Sequence, residues 1–292
     1  MAGAGHSTTC LGCSIRPRLS IPRRSSRTSP DTLAGYSNFA AAIGKRLGEL
    51  HTILAAPTDN LDFAPEKATT ADGAVWAEAV RAQLEAALAA IGAVHEWPDD
   101  EGREAAALVK AQRAALNKAI DRLAKAAPGT LKTRTHGDFH LGQVLVSSGD
   151  AYIIDFEGEP ARPLEERRAK SSPIRDVAGI LRSFDYAVAA ASSRAAGPAQ
   201  NAPRKAAVLE EFAANASEAF LAAYREVHAE SPRRWVTEAG EPALLDLFLI
   251  EKAAYEICYE AANRPAWIGI PLHGLARIVD RITTPVMEPA DG

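Results

Sequence analysis

The sequence predicts a mainly α-helical chain with one small β-hairpin. Three observations lead there. Alanine is used heavily while aromatic residues make up 6% of the 292 residues, a composition that suits helices packed through small side chains. Apolar residues recur at three- and four-residue steps over most of the chain after Tyr36, the period of a helix with one buried face. The only convincing strand signals are the short runs 143–147 and 151–156, separated by the turn Ser148-Gly149-Asp150, which together read as a hairpin.

Taken in order, residues 1–35 stand apart as a leader. They carry Arg16, Arg18, Arg23, Arg24 and Arg27 among Ser, Thr and Pro, with no acidic residue before Asp31, and offer too little apolar surface to offset the entropy of ordering. The Arg- and Ser-rich, acid-poor composition resembles that of a transit peptide, and an accident of where the reading frame was started gives the same composition. Cys10 and Cys13 have only His6 nearby as a further ligand, whereas a structural zinc site needs four, so the pair is expected to be a tail feature. From residue 36 to the end the chain reads as one helical domain.

Phe39, Ile43, Leu47, Leu50 and Leu54 mark a helix from Tyr36 to Ala55, ended by Pro57. His51 lies on it and is expected to be a packed neighbour of the core. Residues 57–73 read as a loop. Val75, Val80, Leu84, Leu88 and Ile91 mark a second helix, broken at Trp97-Pro98, and a third runs from Glu104 to Ala126 until Pro128-Gly129 stops it. Beyond residue 157 a charged turn, Glu165-Glu166-Arg167-Arg168, precedes a helix opened by Ser172-Pro173 and carried by Val177, Ile180, Leu181, Phe184 and Val188. After a polar loop at 194–204, three further helices are expected over Lys205–Ala229, Pro242–Asn263 and Pro271–Thr284.

Charge and composition exclude several functions. A formal net charge of −4 gives no general reason to expect nucleic-acid binding, since neutralising phosphates needs clustered Lys and Arg. No run approaches the roughly 20 apolar residues of a membrane helix. Three cysteines are too few for a disulfide framework and fit a reducing, cytoplasmic setting.

The chemistry concentrates in residues 135–157. Asp138 follows the third helix, Gln143 lies five residues on, and Asp155 ends the second run of the hairpin. Two carboxylates and an amide oxygen form a hard-oxygen set of the kind that holds Mg²⁺ together with substrate phosphates. A carboxylate left free of the metal can take a proton from a substrate hydroxyl. These are the parts of a phosphoryl-transfer site, in the order of the kinase scheme: catalytic Asp, amide, then metal Asp in a triplet, here Asp155-Phe156-Glu157. A glycosidase pair would leave Gln143 and the His136-Gly137-Asp138 context unexplained, and a purely structural turn would leave all three groups unused.

The run His136-Gly137-Asp138-Phe139-His140-Leu141-Gly142-Gln143 with Ile154-Asp155-Phe156 resembles the aminoglycoside-phosphotransferase branch of the protein-kinase-like fold. More narrowly, three blocks resemble the maltokinase family. They are Asp155-Phe156-Glu157-Gly158-Glu159-Pro160, then Pro173-Ile174-Arg175-Asp176-Val177-Ala178-Gly179 with Arg182-Ser183-Phe184-Asp185-Tyr186-Ala187, and a C-terminal block from Glu251 to Leu272. The resemblance covers roughly residues 36 to 285 and implies ATP-dependent phosphorylation of maltose to maltose 1-phosphate, with trehalose synthase as a possible partner. By position it makes Asp138 the catalytic base, His136 a brace of its loop, Gln143 and Asp155 the Mg²⁺ ligands, and Arg175 and Asp176 supports of the loop.

It also lays the sugar against the helix bearing Lys252, Tyr255, Glu256, Tyr259, Glu260 and Asn263, which share one face by their spacing. No glycine-rich phosphate loop and no strand-borne lysine precedes Tyr36, so the resemblance is to a C-terminal lobe alone, with the N-terminal β-lobe expected to be missing. Two other readings follow. The chain is a non-catalytic fragment that binds sugar or a partner such as a separate N-lobe, or it phosphorylates another small molecule, glucosamine or an aminoglycoside.

Overall fold

The computed structural model describes residues 30–194 and 202–283. Residues 1–29 of the expected leader, with Cys10 and Cys13, lie outside the described residues, as do residues 195–201 of the expected polar loop.

Among the described residues nine α-helices and two two-stranded antiparallel sheets follow in the order α1 (Pro30–Leu54), β1 (Glu66–Lys67), α2 (Thr70–Gly92), α3 (Asp100–Ala111), α4 (Arg113–Ala124), β2 (Leu131–Lys132), β3 (Val144–Ser147), β4 (Asp150–Ile153), α5 (Leu164–Arg168), α6 (Ile174–Arg194), α7 (Ala202–Glu230), α8 (Glu241–Asn263) and α9 (Gly269–Thr283). The mainly helical class with a small hairpin is what the sequence predicts. No helix among the described residues is long and apolar enough to cross a membrane.

Helix α8 is the axis of the molecule. It packs against α2, α4, α6 and α9, so apolar residues on several faces are buried, among them Leu244, Leu247, Phe248, Ile250, Ala253 and Ile257. Burial of this kind, at about 25 cal/mol per Å² of apolar surface, is the main source of stability. On the other side α1 and α7 lie along each other and bury Leu47, Phe220 and Tyr224 between them. The β3–β4 hairpin pairs Val144 with Ile153 and Ser147 with Asp150 and is tied to α1 by the Arg46–Asp150 ion pair.

Helix α1 begins at Pro30, six residues before the expected Tyr36 and inside the stretch read as leader. Three further elements differ from the periodicity, each for a physical reason. Helix α2 starts five residues earlier than its apolar stripe, because Thr69 and Asp72 form a reciprocal capping box that satisfies the first free N–H groups. The stretch read as one helix from Glu104 to Ala126 is two, beginning at Asp100 and interrupted at Gln112. Asp99 caps α3 by accepting from Gly102 N–H at 2.7 Å, and the break lets α3 face α9 while α4 faces α2 and α8. The β1–β2 ladder is two residues long on each side, too short to give any period.

Candidate active site

The loop that follows β2 carries His136, Gly137 and Asp138, and its backbone is fixed from below by α6. Asp176, on the first turn of α6, accepts from His136 N–H at 2.8 Å through Oδ2 and from Gly137 N–H at 3.0 Å through Oδ1. Gly137 has φ of 84°, a left-handed conformation that a side chain would resist. His51 Nε2 reaches the same carboxylate at 3.2 Å. Burial opposes the charge on Asp176, yet the His51 contact and the loop N–H keep its carboxyl below the usual range. The loop sits directly on α6 at Gly179, where a Cβ would lie 2.5 Å from the Phe139 carbonyl oxygen.

His136 joins the two aspartate segments. Its ring is buried, Nδ1 faces Asp138 N–H at 3.4 Å and Nε2 faces the Ile154 carbonyl at 2.8 Å. The hydrogen-bond partners assign the proton to Nε2. One residue past Ile154, Asp155 adopts φ of 66°, which costs energy in a residue with a Cβ and turns its carboxylate to Gln143. The Gln143 amide nitrogen donates to Asp155 Oδ2 at 2.9 Å. The amide therefore lies beside an exposed carboxylate, so that two side chains able to offer hard oxygen donors are neighbours. That set fits Mg²⁺, which keeps several waters and takes one or two protein ligands.

Asp138 itself stands apart from this pair. Lys252 Nζ on α8 lies 3.4 Å from its Oδ1, and His140 Nε2 lies 3.7 Å from Oδ2. Asp138 lines two cavities. The first, of about 280 Å³, lies between the loop, the segment 158–171, the start of α6 and Phe248, Glu251 and Lys252 of α8. The second, of about 520 Å³, lies between the loop, α6 and the end of α8.

The α8 residues expected to meet sugar separate on inspection. Lys252, Tyr255, Glu256, Tyr259 and Glu260 line the larger cavity together with Arg264 and Trp267. Asn263 does not: its side chain is exposed and donates to the Tyr259 carbonyl of its own helix at 2.8 Å. Glu256 and Glu260 are largely buried and engaged, Glu256 with Arg182 at 2.8 Å and Glu260 with Arg264 and, at 3.0 Å, with Tyr186 Oη. Burial raises the Glu256 carboxyl although Arg182 lies beside it. Tyr255 and Tyr259 stack at 6.4 Å between centroids, and burial followed by the Glu159 carboxylate pushes the Tyr255 hydroxyl up.

Arg175, expected to support the loop, turns instead to α8. It pairs with Glu251 Oε2 at 2.6 Å and covers the Phe248 ring at 4.5 Å, because a stacked, paired guanidinium loses less than one left alone in a cavity. Asp176 alone of the two holds the loop backbone. Sequence reasoning did not single out His140, Glu159 or Tyr186 as cavity residues. His140 had a signal: it caps the turn Leu141–Gln143 by accepting from Gly142 N–H at 3.0 Å. Glu159 and Tyr186 reach the cavity only through tertiary packing and leave no local signal.

The chain is similar in sequence and fold to known proteins. A glucosamine kinase of Streptacidiphilus jiangxiensis is 29% identical over 232 residues, 80% of this chain and 47% of that protein. A glucosamine kinase of Mycolicibacterium smegmatis is 29% identical over 244 residues, 83% of this chain and 54% of that one. A solved glucosamine kinase in complex with glucosamine, ADP and inorganic phosphate superimposes with a TM-score of 0.67 at 27% identity, covering 82% of this chain and 51% of the other. The chain thus spans about half the length of the relatives it matches. Residues 20–209 match the model of the APH phosphotransferase enzyme family, and with a helical lobe that carries the aspartate loop in the same chain, this protein belongs to that family.

Proposed function

We propose that this chain carries the acceptor-binding half of an ATP-dependent sugar kinase whose acceptor is an amino sugar of the glucosamine type. The observation that carries the reading is the charge of the larger cavity. Of the carboxylates that line it, Asp138 lies beside Lys252, Glu256 beside Arg182 and Glu260 beside Arg264. Among the described residues this leaves Glu159 as the carboxylate without a facing cation, and one such carboxylate beside aromatic rings suits a sugar that bears an ammonium group. The relatives' names point the same way.

In this reading the acceptor hydroxyl lies against Asp138. The carboxylate orients it and takes its proton as the oxygen bonds to the γ-phosphorus of ATP and ADP departs. Lys252, 3.4 Å from Asp138 Oδ1, fixes the direction of that carboxylate. His136 keeps the Asp138 and Asp155 segments in register. Gln143 and Asp155 would hold Mg²⁺, which when bound neutralises phosphate charge. Tyr255 and Tyr259 supply a face on which a pyranose can stack.

Maltose is the second reading. Its support is the 520 Å³ of the larger cavity, within the range of about 300–1,000 Å³ that takes ligands larger than one ring, together with the residue blocks that resemble maltokinases. The relatives lend no support to maltose or to trehalose synthase as a partner. ATP consumption measured with glucosamine, glucose, maltose and an aminoglycoside, for the unaltered chain and for Asp138→Asn, separates them. Glucosamine-dependent turnover that Asp138→Asn abolishes is expected. Turnover with maltose alone would replace the first reading by the second, and calorimetric binding of glucosamine without turnover would leave the non-catalytic sugar-binding fragment.

A further inference from the structure

Behind the Asp138 loop runs a line of buried polar side chains from Asp176, which lines the smaller cavity, to Trp235, which lines neither. His51 on α1, Tyr224 on α7 and Trp235 are each 0% exposed, and Asp176 is 2% exposed. Trp235 Nε1–H donates to Tyr224 Oη at 2.7 Å. Tyr224 Oη lies 2.9 Å from His51 Nδ1, and His51 Nε2 lies 3.2 Å from Asp176 Oδ2. Asp176 then accepts the His136 and Gly137 N–H groups, the two peptides immediately ahead of Asp138.

The directions of these bonds follow from the donor inventory. An indole N–H can only donate and a carboxylate can only accept. Tyr224 therefore accepts from Trp235, and its one hydroxyl proton is free for His51 Nδ1. With Nδ1 accepting, the His51 proton sits on Nε2 and points at Asp176. The opposite tautomer would aim a bare Nε2 lone pair at a carboxylate and leave the Tyr224 hydroxyl proton without His51 as its acceptor, both among fully buried side chains, where an unmade hydrogen bond is costly.

We propose that Tyr224 is a positioning residue for Asp138: its hydroxyl, oriented by Trp235, fixes the His51 tautomer and through it the Asp176 carboxylate that holds the His136 and Gly137 peptides. The proposal deepens the reading of Asp138 as the group that faces the acceptor. It differs from a packing role, because a phenylalanine ring fills the same space between His51, Phe220 and Trp235 and removes only the hydroxyl. It also makes the three residues one unit, so that Tyr224 matters only while a histidine with two possible tautomers stands at position 51.

The test needs no turnover, so its failure is distinguishable from failure of the amino-sugar reading. In the unaltered chain, ¹⁵N NMR of the imidazoles reports which His51 nitrogen bears the proton. The Nε2–H tautomer is expected, and a proton on Nδ1, whether in the Nδ1–H tautomer or in a doubly protonated ring, overturns the proposal whatever the variants do. Amide hydrogen exchange is then followed at His136, Gly137 and the α8 residues Phe248 and Ile257.

For Tyr224→Phe we expect His136 and Gly137 to exchange about tenfold faster, with Phe248 and Ile257 changed by less than about twofold. In a His51→Gln background, where the amide offers Asp176 a donor that needs no tautomer, Tyr224→Phe should add less than about twofold. Unchanged loop amides, a uniform acceleration of loop and α8 alike, or the same tenfold added in the His51→Gln background would each overturn it.

Discussion

At the scale of single residues, the account rests on groups whose neighbours leave them one job. Asp138 is flanked by Lys252 and His140 and stands apart from the Gln143–Asp155 pair, and in the proposed reaction its carboxylate takes the hydroxyl proton. Asp138→Asn should lower acceptor-dependent turnover by about 10²–10⁴-fold and leave the thermal unfolding midpoint nearly unchanged, as measured by steady-state kinetics beside a melting curve.

Arg175 belongs to a different class. Its ion pair with the nearly buried Glu251 means that Arg175→Ala leaves that carboxylate with Arg162 alone, 3.9 Å away, and denaturant unfolding should register a loss of about 1–3 kcal/mol, partly recovered by adding Glu251→Gln. Asp138, Gln143 and Asp155 are legible in the sequence because one continuous stretch of loop and hairpin carries all three, and local geometry suffices to relate them. The turn of Arg175 toward α8, the engagement of Glu256 and Glu260 by arginines, and the withdrawal of Asn263 depend on helices that meet only in the folded chain.

At the scale of elements, α6 is the platform of the site. Its first turn supplies Asp176, and Gly179 permits the contact with the Phe139 carbonyl. Gly179→Ala must push the loop and the helix apart, since the obstructing atom is backbone. An overpacking cost of about 1–3 kcal/mol is expected in denaturant unfolding, with acceptor affinity lost along with it.

The helices themselves are legible from apolar spacing, and α7, α8 and α9 begin and end within about three residues of where the spacing puts them. Their ends are less so where a cap overrides the pattern. Thr69 and Asp72 are the polar residues that made 57–73 look like loop, and they are what starts α2. Thr69→Ala should therefore cost about 1 kcal/mol, read as a lower unfolding midpoint. The break at Gln112 has no signal in the sequence, because it answers the positions of α9 and α2 and not any local preference.

At the scale of the whole molecule, stability should fall toward acid in two stages. Burial, and then Arg234, lower the His228 imidazole to about 4, well under its ordinary 6.5. The unfolded chain binds that proton first, so stability is lost as pH falls from 6.5 to 4. Lys132, Thr69 and the cap lower the Asp72 carboxyl to about 2 from 3.8, and its contribution is lost as pH falls from near 4 to 2. Melting curves at pH 7, 5.5 and 4 should show a falling midpoint that His228→Leu flattens over the first interval.

The helical class and the order of its elements were open to sequence reasoning because period and composition act locally. The buried line from Trp235 to Asp176 was not, since it joins α1, α6, α7 and the segment after it across more than a hundred residues. His51 shows the division well. Its burial follows from its place on the α1 stripe, and its bond to Asp176 does not.

The central claim is that the larger cavity receives an amino sugar beside Asp138. Calorimetric titration of the chain with glucosamine and with glucose tests it most directly. Glucosamine should bind about tenfold or more tighter than glucose, a difference of about 1.4 kcal/mol, and Asp138→Asn should narrow that gap. Glucose or maltose binding as tightly as glucosamine would contradict it.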